Sequence, residues 1–166
     1  FMDIKEKCKS LGLKWIGGVG PEDAKVIVVG EALGREEEVR GEPFVGGAGH
    51  LLDGALRQVS LERSSLYITN VVKVRPPNND LGRLKELGIS ISDFLPILRE
   101  EIEMRKPNLV VALGGHALQA LTSSSSMMKM RGSILESTLV PGVKVVPSVH
   151  PAAVLRNYKW RALLVI

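Results

Sequence analysis

Residues 25–34 read KVIVVGEALG: four β-branched residues in succession, Val26 to Val29, then a glycine and a glutamate. An unbroken aliphatic run without polar alternation fits a strand buried on both faces, the pattern of a parallel sheet covered by helices on either side. Working outward, three more runs have this character: LYITNVV (66–72), NLVVAL (108–113) and VKVVPSV (143–149). Helical patterns lie between them, GHLLDGALRQV from Gly49, DFLPILREEIEMRK (93–106) and GGHALQALT (114–122). This alternation predicts an α/β fold, three layers α/β/α around a central four-stranded, mostly parallel sheet, with residues 1–166 as one domain. The run SSSS at 123–126 reads as a loop.

Open sheets of this kind bind ligands beyond the carboxyl ends of their strands. Here the strand ends carry GEALG, TN, GGH and SVHP, so parallel strands would bring Glu31, Asn70 and His150 together on one edge. A histidine at a strand end is, taken alone, as readily a surface or satisfied core residue. Its company at the sheet edge is the argument for function.

Composition narrows the classes. With 45% hydrophobic and 24% charged residues the chain has an ordinary globular make-up, and no apolar run approaches the roughly 20 residues of a membrane span. The charged opening FMDIKEKCKS does not read as a signal peptide, so a cytoplasmic location is expected. Lys and Arg number 22 against 18 Asp and Glu, a net +4 that is compatible with a polyanionic partner without requiring one. The single cysteine, Cys8, excludes an intrachain disulfide and by itself holds neither zinc nor an iron–sulfur cluster.

The segment GEALGREEEVRGEPFVGGAGHLLD (30–53) is the most informative. Gly30 and Gly34 permit close approach of a ligand, and GGAG (46–49) precedes a helix whose N-terminus suits an anion. Neither GxGxxG nor the Walker spacing is present, which argues against NAD and ATP. Phe44 is either a packing residue or a stacking face for a flat ligand. Glu36, Glu37 and Glu38 read as a solvated face rather than a metal site. In NVVKVRPPNND (70–80), Asn70 needs partners from the backbone or from a ligand, and Lys73 and Arg75 either contact phosphates or solubilise the loop. In HPAAVLRNYKWR (150–161), Val154 and Leu155 form a small apolar wedge next to Arg156, Lys159 and Arg161; the wedge suits insertion into a base stack, and equally a terminal helix packing Val154, Leu155, Leu163 and Leu164 on the sheet.

Together GEALG, GEPFVGGAGHLLD, YITNVVKVRPP, VVALGG and PSVHPAAVLR, in this order along nearly the whole chain, resemble the family 4 uracil-DNA glycosylases. The resemblance implies excision of uracil from DNA by hydrolysis of its N-glycosidic bond. It implies Glu31 and His150 as catalytic residues, and Gly30, Ala32, Phe44 and Asn70 around the uracil. It also implies Gly49, Lys73, Arg75, Val154, Leu155 and Arg156 against the DNA, and a protein that acts as a monomer. The pattern departs from the family at the cysteines. Family members usually carry four that ligate an iron–sulfur cluster; the first is Cys8, but the other positions hold Leu11, Val74 and Phe94. No cofactor is therefore expected, and the three apolar residues are expected to fill the space as a dry plug. Leu33 replaces the proline of GEAPG, and Ala152 a serine common after the family's His-Pro. Two rival readings are a non-catalytic binder of damaged or single-stranded DNA and a small nucleotide hydrolase or transferase.

Overall fold

The computed structural model describes residues 2–157 and Lys159. Strands β1 (Val26–Gly30), β2 (Tyr67–Asn70), β3 (Leu109–Leu113), β4 (Leu135–Glu136) and β5 (Lys144–Ser148) form one sheet in the order β2-β1-β3-β5-β4. The β1–β2, β1–β3 and β3–β5 pairs are parallel. The expected four strands are present, and the sheet has a fifth: β4 pairs antiparallel with β5 through only two residues, Leu135 and Glu136, opposite Val145 and Lys144. This brevity explains a proline inside β5. Pro147 lies past the end of β4, where no ladder pair needs its N–H and only its carbonyl is used, accepting from the Gly132 amide at 3.2 Å.

Alternation along the strands divides the core. Ile27, Val29, Tyr67, Val110 and Ala112 face one layer, which holds Leu98 and Ile102 of α4 (Leu95–Arg105), Leu118 and Leu121 of α5 (Gly115–Thr122), and Cys8 of α1 (Ile4–Ser10). Val28, Ile68, Val111 and Leu113 face the other, covered by Leu52 and Leu56 of α3 (Gly47–Gln58). Helix α3 begins two residues before the expected Gly49. Short helices α2 (Arg35–Arg40) and α7 (Pro151–Arg156) follow the ends of β1 and β5, and α6 (Met127–Met130) follows the serine loop. Leu163, Leu164 and Arg161, named above for the terminal segment, lie outside the described residues.

The register aligns the carboxyl ends. Gly30 is opposite Asn70, Leu113 is opposite Ser148, and the Gly114 amide donates to the Ser148 carbonyl at 2.9 Å. Beyond Asn70 the chain still runs along β1, with Val71 and Val72 donating to the carbonyls of Gly30 and Glu31. Glu31, Asn70, Gly114 and His150 are thereby delivered to one edge by the sheet itself.

Candidate active site

A cavity of about 290 Å³ opens at this edge, lined by Glu31, Ala32, Leu33, Gly34, Glu37, Phe44, Ala48, Asn70, Asn79, His150, Ala152 and Arg156, among others. It is at the small end of the range for ligand sites.

His150 caps α7: its Nδ1 accepts from the Ala152 amide at 3.0 Å. An Nδ1 that accepts carries no proton, so the neutral ring bears its hydrogen on Nε2. That Nε2 is buried and has no partner among the described residues. Burial, with the positive charge of Arg156 adding to it and Glu37 opposing, pushes the His150 pKa down to about 4. The residue is thus a neutral donor at physiological pH. Asn70 is buried, and its Oδ1 likewise lacks a partner. These are two buried polar side chains whose hydrogen-bonding capacity is left open at the same cavity.

Phe44 closes the cavity between them. Its ring centroid is 5.6 Å from that of His150, with the planes inclined at 30°. Both its ring and Asn70 Oδ1 lie where a β-carbon on Gly30 would be, so glycine is required there for the floor of the site. The backbone of Phe44 is left-handed, φ +53°, a conformation costing a bulky residue on the order of 1–3 kcal/mol. Main-chain partners hold it: Arg63 donates to the carbonyls of Pro43 and Phe44, and Glu37 Oε1 accepts from the amides of Val45 and Gly46.

Burial raises the Glu31 pKa, opposed by the charges of His116 and then Arg156. Gly114, with φ +90°, separates the two catalytic candidates: a β-carbon there would sit 3.0 Å from Glu31 Oε1 and 3.1 Å from His150 Cβ. Glu31 also borders a second, shallower hollow with Asn79, Asp80 and His116.

The DNA-contact expectations divide. Leu155 is 58% exposed and its Cδ1 approaches Gly47, at the rim beside the start of α3. Arg156 is exposed and also lines the cavity. Arg75 is held by Glu38 at 3.2 Å and Asn79 at 2.7 Å. Three expectations are corrected. Lys73 is wholly buried, its ammonium bonded to Thr69 Oγ1, the Asn70 carbonyl and Glu101, so it cannot meet a phosphate. Val154 is wholly buried against Val149, Leu51 and Ala55 and is core rather than wedge. Gly49 is buried where a side chain would collide with the Phe44 carbonyl, so it lets α3 abut the Phe44 loop instead of touching DNA.

At the positions where the resemblance implies cluster ligands, Cys8, Val74 and Phe94 are fully buried in one apolar core, with Phe94 stacked on Trp15 at 5.9 Å. Leu11 departs from the expected plug, being 42% exposed. One thiol and three hydrocarbon side chains do not fit an iron–sulfur cluster, which needs several thiolates. Among the described residues no group of three His, Cys, Asp or Glu is placed to hold a metal ion.

Sequence reasoning missed Gly114 and Arg63, and it read Glu37 as part of a solvated face, whereas that carboxylate is part-buried, lines the cavity and holds the Val45 and Gly46 amides. The doubled glycine at 114–115 was visible at a strand end; Arg63, distant in sequence from Phe44 and outside any motif, left no signal.

The family model of the uracil DNA glycosylase superfamily matches residues 18–164. The Type-4 uracil-DNA glycosylases of Archaeoglobus fulgidus and Thermotoga maritima are each 40% identical to this chain. The first match covers 89% of this chain and 75% of the relative, the second 84% and 71%. The Type-4 uracil-DNA glycosylase of Sulfurisphaera tokodaii is 37% identical over 96% of this chain and 74% of its own length. A strand-edge cavity with two open hydrogen-bonding side chains, on a sheet of this topology, is therefore that of a family member: the chain belongs to the Type-4 uracil-DNA glycosylases of the uracil DNA glycosylase superfamily.

Proposed function

We propose that this protein excises uracil from DNA, hydrolysing the N-glycosidic bond and leaving an abasic site. The observation that carries the reading is the pair of unpartnered buried atoms, Asn70 Oδ1 and His150 Nε2, at a base-sized cavity closed by the Phe44 ring.

A base in a duplex is first rotated out of the stack, at a cost of a few kcal/mol. Leu155 enters the gap it leaves, and Arg156 lies next to the DNA backbone. The flipped uracil stacks on Phe44. Asn70 accepts from N3–H through Oδ1 and donates to O4 through Nδ2; cytosine reverses both partners and leaves buried groups unpaired. As the bond from C1′ to N1 breaks, its electron pair departs with the base and negative charge gathers at O2. The neutral His150 Nε2–H donates to that oxygen, an interaction worth about 3 kcal/mol in preorganised sites. Water adds to C1′, and Glu31 takes its proton, which returns to the uracil anion. A carboxylate with a raised pKa is suited to that exchange. The protein acts as a single domain and as a monomer inside the cell; no helix among the described residues is long and apolar enough to cross a membrane.

The test is incubation with single-stranded and G:U oligonucleotides followed by alkaline cleavage at abasic sites. Wild-type protein is expected to generate breaks at uracil, and Asn70→Asp and His150→Ala each to lose at least about tenfold in rate. Intact oligonucleotides with folded wild-type protein in excess would refute the reading. We further read the protein as free of iron–sulfur cluster, because the donor set is a lone thiol. Stoichiometric iron and sulfide in protein purified without air would overturn that.

A further inference from the structure

We propose that Arg63, which does not line the cavity, is a positioning residue that presets the Phe44 ring for the flipped base; the proposal rests on the uracil reading above. Its NH2 donates to the Pro43 carbonyl and its NH1 to the Phe44 carbonyl, both at 2.7 Å. These two carbonyls belong to the peptide planes on either side of the Phe44 α-carbon. Holding the first plane restrains φ of Phe44, and holding the second restrains its ψ. One planar guanidinium therefore governs both dihedrals of a residue whose φ is +53°.

Arg63 also connects to two other elements. Arg63 opens the 3-10 turn Arg63–Ser65 that leads into β2, and its NH1 is 3.0 Å from Asp53 Oδ1 on α3. The Phe44 loop is thus tied to the strand that carries Asn70 and to the helix that Gly49 brings against the Phe44 carbonyl. Without the clamp, Phe44 relaxes toward the right-handed or extended basin that a bulky residue prefers, and its ring leaves the position beside Gly30 and His150.

The consequence is a binding defect that passes through Phe44. Arg63→Gln and Arg63→Lys are expected to raise KM on single-stranded uracil DNA, and Ki for free uracil, by about fivefold or more while kcat changes less. Lysine keeps the charge beside Asp53 and supports folding, but a point charge cannot hold two carbonyls at once. In a Phe44→Ala background the same substitutions are expected to alter Ki by less than about twofold, because the group they position is gone. Asp53→Asn, which leaves both carbonyl contacts in place, is expected to keep the wild-type Ki. A wild-type Ki in Arg63→Lys, an equal loss in the Phe44→Ala background, or an Asp53→Asn variant as weak as Arg63→Gln would each overturn the proposal. Failure of the wild-type protein to release uracil would instead overturn the functional reading. Amide hydrogen exchange at Val45 and Gly46, expected to be faster in Arg63→Lys than in wild type, decides the clamp without any substrate; unchanged exchange would overturn it.

Discussion

Lys73 Nζ lies 2.5 Å from Glu101 Oε1, joining the end of β2 to α4 inside the protein. The same ammonium bonds Thr69 Oγ1 at 2.6 Å and the Asn70 carbonyl at 2.5 Å. Burial pushes its pKa down, and the Glu101 carboxylate opposes that. Near this pair, the Arg105 guanidinium sits 3.4 Å over the Tyr67 ring, whose phenol is pushed up by burial and by Glu101. The group that the sequence offered as a phosphate contact instead supports the backbone of the strand that carries Asn70.

Removing one partner of this pair is expected to be costly. Lys73→Met leaves Glu101 uncompensated and should destabilise by about 3–5 kcal/mol, whereas replacing both by apolar residues should recover much of the loss. Denaturant melts of the single and double variants check this. Since no phosphate contact is lost, the salt dependence of DNA binding by Lys73→Met should keep the wild-type slope. A slope shallower by about one unit would place Lys73 at the DNA.

Val154 and Leu155 are adjacent in sequence and opposite in environment, so their alanine variants should differ in kind. Val154→Ala is expected to cost about 2 kcal/mol of stability through the cavity it leaves, with equal effects on single-stranded and duplex substrates. Leu155→Ala should leave the melting curve nearly unchanged while lowering activity on duplex more than on single strands, because only the duplex must be unstacked. Parallel rates on the two substrates, alongside melts, discriminate them.

Gly114→Ala introduces a β-carbon 3.0 Å from Glu31 Oε1 and 3.1 Å from His150 Cβ, at φ +90°. The strained backbone should cost about 1–3 kcal/mol. Displacement of Glu31 and His150, the proposed catalytic groups, should lower kcat by at least about tenfold, a loss beyond what the stability change explains. Single-turnover rates well below the melting temperature measure it.

His150 makes stability pH-dependent in a direction set by its burial. In the folded protein it stays neutral down to about pH 4, whereas its ordinary pKa is 6.5. Between these values the unfolded chain binds the extra proton, so stability falls as pH drops through that window, by up to about 3 kcal/mol once both are passed. The raised carboxyl pKa of Glu31 works in the opposite sense, since there the folded state retains the proton. The difference between wild type and His150→Asn in urea melts from pH 7 to 4 isolates the histidine. It should shrink in favour of the variant as pH falls.

The amino-acid sequence by itself determined the layers, the parallel core of the sheet and the meeting of Glu31, Asn70 and His150. Those follow from local chemistry: continuous aliphatic runs make doubly buried strands, and parallel strands place their carboxyl ends on one edge wherever the helices between them lie. Tertiary structure alone decided what depends on a partner distant in the chain. Lys73 is interior because Glu101, on another helix, arrives to meet it; Val154 is core and Leu155 exposed because of how α7 is rotated against α3. Gly49 serves the Phe44 carbonyl, the fifth strand exists only because two residues reach β5, and Phe44 holds a left-handed backbone because Arg63 spans its two peptide planes. Periodicity along a chain reports which face of an element is apolar. Which polar group satisfies another across the fold is a matter of distance and angle, and these exist only once the elements have packed.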